Sequence, residues 1–508
     1  LDRAAITRLA RGLTDLLDAA RSDLAAGPPS ALISALSDHL GVDVREATIV
    51  SHHWAPWEHV SVHRGITAHL EAVTPGAQWI GLPGGPMRMH NDLPSVLRMD
   101  SSSDRLASAD YVLLPTSPTQ TQDVVANGLV RTADGAGSPV VLALRETQMT
   151  GPPQITVDVI AADRVVASGA LSRLQARVGE HDILRGQVLS FSANEHQGNQ
   201  MVSFLPRPSV SASDVILPPD VLPTIEQHVS GPAEQAQRLS RLGIHLKRGV
   251  LLHGPPGTGK THTVRHLMGR LAHSTVLVLT GNGLMYIDQA AALARRLAPS
   301  VVVVEDVDLI AQDRSFSPMG NPLLFSLLDA MDGVAADADV TFVLTTNRAT
   351  MLEEALVQRP GRIDLAVEIP RPDADGRRRL AELYRGRATV TADLEPLIAV
   401  TEGATASAIK ELMRRAVLRA LDADVVAASP IVDDAVLTAV LADFVSETQS
   451  LSRSLLGAGA DGGAEASGAQ DALLGERFVA TAGPDAGFIA PTFVHRSNPT
   501  GFGGWSAG

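Results

Sequence analysis

Apolar positions along this chain change their spacing several times, and each change marks a change of element. Ala4, Ile6, Leu9, Leu13, Leu16 and Leu17 recur at helical spacing, and after the Gly27-Pro28-Pro29 break a capping Ser30 introduces a second helix, Ala31 to Leu40. From about 44 to 205 short apolar runs alternate with turn signals. Thr48-Ile49-Val50, Trp79-Ile80-Gly81, Tyr111 to Leu114 and Val140 to Leu144 read as strands, and Asp134-Gly135-Ala136-Gly137 as a hairpin turn. Ile155, Val157 and Val159 alternate with Thr156 and Asp158, which predicts a half-buried strand. Val166 to Val178 predicts a helix with Leu171, Leu174 and Val178 on one face, and Val188 to Phe191 and Val202 to Phe204 predict two more strands. The pattern assigns residues 1–210 to an α+β domain, helical over 1–43, followed by a polar, proline-containing connector from Ser209 to Pro219 and a helix over about 219–241.

Beyond that point the apolar runs become continuous, as in parallel strands buried on both faces. Val250-Leu251-Leu252 leads into Gly254-Pro255-Pro256-Gly257-Thr258-Gly259-Lys260-Thr261, and a helix-compatible segment follows. Strand, glycine-rich loop and helix are the context of a phosphate-binding loop. Gly257 and Gly259 let the backbone curl so that its N–H groups converge on a phosphate, and the helix dipole adds to the attraction. Lys260 reaches the β- and γ-phosphates, the Thr261 hydroxyl is a ligand for Mg2+, and Gly254 to His262 form the nucleotide-binding set. Val301 to Val304 end in Glu305-Asp306-Val307-Asp308, a buried strand that delivers carboxylates to the site. One acid is expected to hold Mg2+ and the other to activate water. Val340 to Leu344 end in Thr345-Thr346-Asn347-Arg348, where Asn347 is placed to orient that water.

Composition bounds the rest. A length of 508 residues suggests about three domains. Cysteine is absent, which excludes disulfides and cysteine-ligated zinc. A net charge of −14 speaks against a general nucleic-acid binder. The only lysines are Lys247, Lys260 and Lys410, so Lys260 stands out as chemically chosen. No apolar run approaches the roughly 18 residues that cross a bilayer, and a cytoplasmic protein is expected. His52, His53, His59, His63 and His69 cluster near Trp54 and Trp57, but without an H-E-x-x-H arrangement they read as packing or surface histidines rather than metal ligands.

The phosphate loop, the acid strand, Thr345 to Arg348 and Arg359-Pro360-Gly361-Arg362-Ile363-Asp364 together resemble an AAA+ ATPase of the AAA clade over about residues 215–450. Leu323 to Gly333 and Thr401 to Ala406 fit the same family. The resemblance implies a P-loop α/β subdomain over 211–370 with a doubly wound parallel sheet, a helical lid over 371–450, and a Gly/Ala-rich tail over 451–508. It implies ATP and Mg2+ as cofactors, with Thr261 and Glu305 on the metal and Asp306 as base. Asn347 would be the first sensor, and Arg359 and Arg362 the arginine fingers that act on a neighbouring subunit's nucleotide in a homo-hexameric ring. Tyr286, in Met285-Tyr286-Ile287, matches the aromatic pore loop.

Two departures stand out. Glu305-Asp306 reverses the family's usual Asp-Glu order, a reversal similar to the membrane-anchored mitochondrial inner-membrane translocase branch, and the Tyr286 to Pro299 segment is shorter than usual. The terminus Trp505-Ser506-Ala507-Gly508 lacks the ending of proteasome activators. The resemblance implies a ring that remodels protein substrates, recruited directly or by an adaptor through the N-terminal domain. A nucleotide-gated assembly scaffold with little turnover is the alternative, and a DNA-acting motor the third reading.

Overall fold

A computed structural model describes residues 12, 13, 16, 30–82, 92–98, 106–147, 153–192, 201–308, 322–335, 337–348, 362–423 and 430–458. Most of the first predicted helix and the tail from 459 onward lie outside the described residues. The chain forms two compact units, one of residues 1–215, 219–254 and 260–368, the other of 216–218, 255–259 and 369–508.

The first unit holds two sheets. One contains β1 (Thr48–Trp54), β2 (Trp79–Ile80), β3 (Asp110–Pro115), β4 (Thr121–Ala133), β5 (Pro139–Thr147) and β6 (Gln154–Ala161). Its order is β1-β6-β5-β4-β2, with β3 also on β4, and every pairing is antiparallel. Helices His59–Val73 and Arg164–Glu180 cover one face, packing Val62, Ile66, Leu171 and Leu174 on Leu142, Leu144 and Val157. The helix Ala31–Leu40, capped by Ser30 as its sequence predicts, covers the other face, packing Leu36 on Val141, Ala143 and Ile160. This second cover corrects the half-buried reading of β6, in which every residue after Gln154 is buried. Asp158 survives there because Arg145 donates to it at 2.8 Å and the Ser51 hydroxyl at 2.5 Å. The predicted turn after β4 forms as expected, with the Asp134 carboxylate accepting from the Ala136 and Ser138 N–H groups.

The second sheet contains β7 (Val188–Phe191), β8 (Val202–Leu205), β9 (Arg248–His253), β10 (Thr275–Leu279), β11 (Ser300–Val304), β12 (Val340–Thr346) and β13 (Leu365–Glu368). Its order is β13-β9-β12-β11-β10-β7-β8, parallel throughout except for β8. The apolar pattern assigns β7 and β8 to the N-terminal domain. In the structure they extend the nucleotide-binding sheet, Val188 to Phe191 running parallel to Val276 to Leu279. A four-residue apolar run carries no record of which sheet it will join. Val60 and Val124 of the N-terminal part also pack in one cluster with Leu189, Phe191, Leu277 and Val302, so the two sheets share a core. Arg207, just before the predicted boundary at 210, donates to the carbonyls of Gly186, Met268, Leu271 and Ser274 and braces the same junction. The helix predicted over 219–241 is two helices, Val221–Glu234 and Ala236–Arg241, joined at Gln235.

The second unit packs helices Ala374–Tyr384, Glu395–Val400, Ala406–Ala423 and Asp434–Ala458 around Leu380, Ile409, Leu412, Met413 and Leu441. Its helical character matches the periodicity read over 371–450.

Gly249 in β9 lies against the segment that leads into β13. The Asp364 carboxylate accepts from the Gly249 N–H at 3.0 Å, and the Asp364 N–H donates back to the Gly249 carbonyl at 2.9 Å. A Cβ on Gly249 would overlap the Arg362 carbonyl oxygen. Gly249→Ala is therefore expected to destabilise the protein by about 3 kcal/mol, read as a lowered thermal unfolding midpoint; an unchanged midpoint would show that β13 moves aside freely.

Candidate functional site

β9 is buried through Leu252, and the chain then enters the loop before the helix Lys260–Arg270. Gly257 and Gly259 have φ of +77° and +112°, backbone conformations that favour glycine and fold the loop for anion binding. Pro255 and Pro256 lack N–H groups, which leaves donation to the residues that follow. Thr258 donates its hydroxyl to the Pro255 carbonyl at 3.0 Å, and Lys260 donates Nζ to the Gly254 carbonyl at 2.8 Å. Burial lowers the Lys260 ammonium to about 8, while Asp306 and Asp308 act against that shift. Residues 255–259 group with the second unit, where the Ser407 N–H and hydroxyl both donate to the Gly257 carbonyl, at 3.1 and 3.2 Å. His262 is in the predicted binding set, but its Nε2 donates to the Asp214 carbonyl at 3.1 Å. Its imidazole anchors the helix to the connector, so what it offers a phosphate is its backbone.

All five residues of β11 are buried, and the Glu305 N–H prolongs the ladder by donating to the Leu279 carbonyl. The backbone then turns sharply. Asp306 has φ of +53° and donates its N–H to the Thr345 hydroxyl at 3.0 Å. Aspartate tolerates this left-handed conformation better than most residues, a physical reason for aspartate in second place in the reversed acid pair. Asn347 Nδ2 donates to the Asp306 carboxylate at 3.4 Å. The Thr261 hydroxyl lies beside the Glu305 carboxylate and favours its charged form. Burial first, and then a neighbouring acid, raises both carboxyls: Asp306 acts on Glu305, and Asp308 on Asp306. Lys260 and Asn347 oppose the rise at Asp306.

Thr261 and Glu305 thus bring two hard oxygen ligands together, a pair that suits Mg2+ and leaves its other positions to water and phosphate. Among the described residues no group of three or more acidic or histidine side chains forms a closed metal site.

Asp308 stands in the acid run without an assigned role in the sequence, and the structure gives it one. It is 5% exposed, and its Oδ1 accepts from both the Thr346 hydroxyl and the Asn347 N–H, each at 3.1 Å. It therefore fixes the backbone from which Asn347 reaches Asp306. A third acid two residues beyond the pair was the available signal.

Other predicted residues lie elsewhere. Arg359 is outside the described residues. Arg362 is buried and donates Nε and Nη2 to the Asp332 carboxylate of its own chain at 3.0 and 2.7 Å. Within the single chain this bidentate pair occupies the guanidinium that the sequence reading directs at a neighbouring subunit. Tyr286 ends the short 3-10 segment Gly281–Tyr286 and packs on the core, its ring tilted against Phe191 at 6.2 Å. Met285 is the exposed side chain of the pore-loop candidate, at 58%. Among the histidines, His59 and His69 donate Nε2 to the carbonyls of Val125 and Ala133, His53 bonds Thr156, and His63 stacks on Trp79.

Asp308→Ala is expected to lower ATP turnover by roughly 10²-fold through misplacement of Asn347, with nucleotide affinity by calorimetry unchanged. Equal losses in both would show that Asp308 supports the loop as a whole.

Residues 250–371 match the family described as "ATPase family associated with various cellular activities (AAA)". The chain is 27% identical over 311 residues to a proteasome-activating nucleotidase of Methanoregula boonei, covering 54% of this chain and 70% of the relative. It is 33% identical over 233 residues to the human ATPase family gene 2 protein homolog A, covering 43% of this chain and 26% of that protein. With a proteasome-activating nucleotidase of Methanocaldococcus jannaschii it shares 29% identity over 230 residues, 42% of this chain and 53% of the relative. The matched segment contains the loop, the acid strand and Asn347 described above, and it identifies residues 250–371 as an AAA ATPase domain.

Proposed function

We propose that this ATPase works as a homo-oligomeric ring that remodels protein substrates, with nucleotide at the interfaces between subunits. The likeness to relatives named for activating the proteasome supports a protein substrate. The observation that carries hydrolysis, rather than nucleotide binding alone, is the fixed pair of Asp306 and Asn347, held by Thr345 and Asp308.

In this reading the loop N–H groups cradle the phosphates, and Lys260 leaves the Gly254 carbonyl to meet them. Thr261 and Glu305 hold Mg2+, which supplies positive charge against the phosphate oxygens when bound. Asp306 takes the proton of the attacking water, and its raised affinity for a proton suits that task. Asn347 donates to the same water and fixes its direction. Arg359 of a neighbouring subunit stabilises the charge that develops on the transferred group.

A second reading, a nucleotide-gated assembly scaffold with little turnover, is favoured by one observation: Arg362 is committed to Asp332 within its own chain. Turnover measured against protein concentration, with particle size by light scattering, separates the two. The ring-motor reading expects turnover per subunit to rise with assembly. It expects Asp306→Asn to lose at least about 10²-fold in turnover and Arg359→Ala about 10³-fold, both still binding ATP. A wild-type chain that assembles on ATP and barely hydrolyses it would establish the scaffold instead.

A further inference from the structure

A cleft of about 320 Å³ opens where the first sheet meets the edge of the second. Its walls are apolar: Trp57 from the turn before the helix His59–Val73, Val112 and Leu114 from β3, Val202 and Phe204 from β8. Glu146 lines it too, and its position is unusual. On β5 the residues Val140, Leu142 and Leu144 form an inward stripe, each at most 2% exposed and all in the helix-covered core. Glu146 is the next residue of that stripe and lies opposite the buried Ile155. Its neighbour Arg145 belongs to the other face and is paired with Asp158. Among the described residues the Glu146 carboxylate has neither an ion pair nor a hydrogen bond, and burial raises its carboxyl. Glu146 is half-buried, so its carboxylate keeps access to the cleft and is available to a cationic group that enters it.

The second polar group in the lining is His59. It is buried and held neutral, and its Nε2 donates to the Val125 carbonyl at 2.8 Å, which leaves Nδ1 as an acceptor. The two polar side chains thus both call for a donor, and the carboxylate calls for a cation. Apolar walls around an acid fit a lysine or arginine, whose methylene stem covers apolar surface while its head meets the charge. The setting also favours a protein segment over a free amine. Among the described residues β3 pairs only with β4 and β8 only with β7, so each offers an unpaired strand edge beside the cleft on which an extended chain can lie.

We propose that this cleft holds a basic side chain of an extended protein segment, flanked by apolar residues, with Glu146 as its counter-ion. The proposal rests on the reading of this ATPase as acting on protein, and it names the part of the N-terminal domain that takes hold of substrate.

The test is calorimetric binding to the full chain without nucleotide, so that it is scored independently of turnover. The probes are the capped tripeptide Phe-Arg-Leu, its counterpart with neutral citrulline in place of arginine, and agmatine. The expected result is a preference of roughly tenfold or more for the arginine peptide over the citrulline peptide, lost in Glu146→Gln, whose thermal midpoint and basal ATP turnover stay at the wild-type level. Equal binding of the two peptides, or a preference that persists in Glu146→Gln, overturns the proposal. So does agmatine binding as tightly as the arginine peptide, because the ligand would then be a free cation.

Discussion

The chemistry of this protein depends on the burial of one strand, Ser300–Val304, between two parallel neighbours. With all five residues covered, β11 has a single register, and the turn at its end is fixed by bonds to the strands on either side: Glu305 to Leu279 of β10, and Asp306 to Thr345 of β12. The strained φ at Asp306 persists because both sides determine it. From that turn one carboxylate meets Thr261 and the other meets Asn347. Asp308 then ties the end of β12 back to the same turn. Asp306, Glu305 and Asn347, the proposed base, metal ligand and sensor, therefore derive their positions from one buried strand and its two neighbours.

The same sheet is where the N-terminal part enters. β7 lies directly on β10, and Phe191 at its end touches both Trp57 of the N-terminal part and Tyr286, which follows β10. Arg296, at the end of the helix that begins at Ile287, forms ion pairs with Glu58 and Asp182. The segment after β10 thus meets the N-terminal part through packed rings and ion pairs.

Much of the site was legible in the sequence because its chemistry demands fixed spacing. The phosphate loop, the acid pair and Asn347 were placed by residue type and order alone, and the structure brings Lys260, Asp306 and Asn347 together as that order requires. The parts that were not legible are pairings. The runs Val188 to Phe191 and Val202 to Leu205 do not encode their partner sheet, and β6 hides its second buried face because Thr156 and Asp158 look polar until Ser51, His53 and Arg145 answer them. Arg362 reads as a finger by motif, yet an acid 30 residues earlier claims its guanidinium. Tyr286 reads as a pore residue by position, yet the shortened segment lays it on Phe191.

The central claim is that each site is completed by an arginine from the next subunit. Turnover in mixtures of Asp306→Asn and Arg359→Ala chains tests this most directly. Each variant alone lacks one half of every site, but a mixed ring places the intact base of one chain beside the intact arginine of the other. The account predicts that two inactive proteins regain up to about a quarter of wild-type turnover when mixed at equal amounts, the share of interfaces that random assembly completes. Co-assembly without recovery would contradict it and would place the whole catalytic set within a single chain.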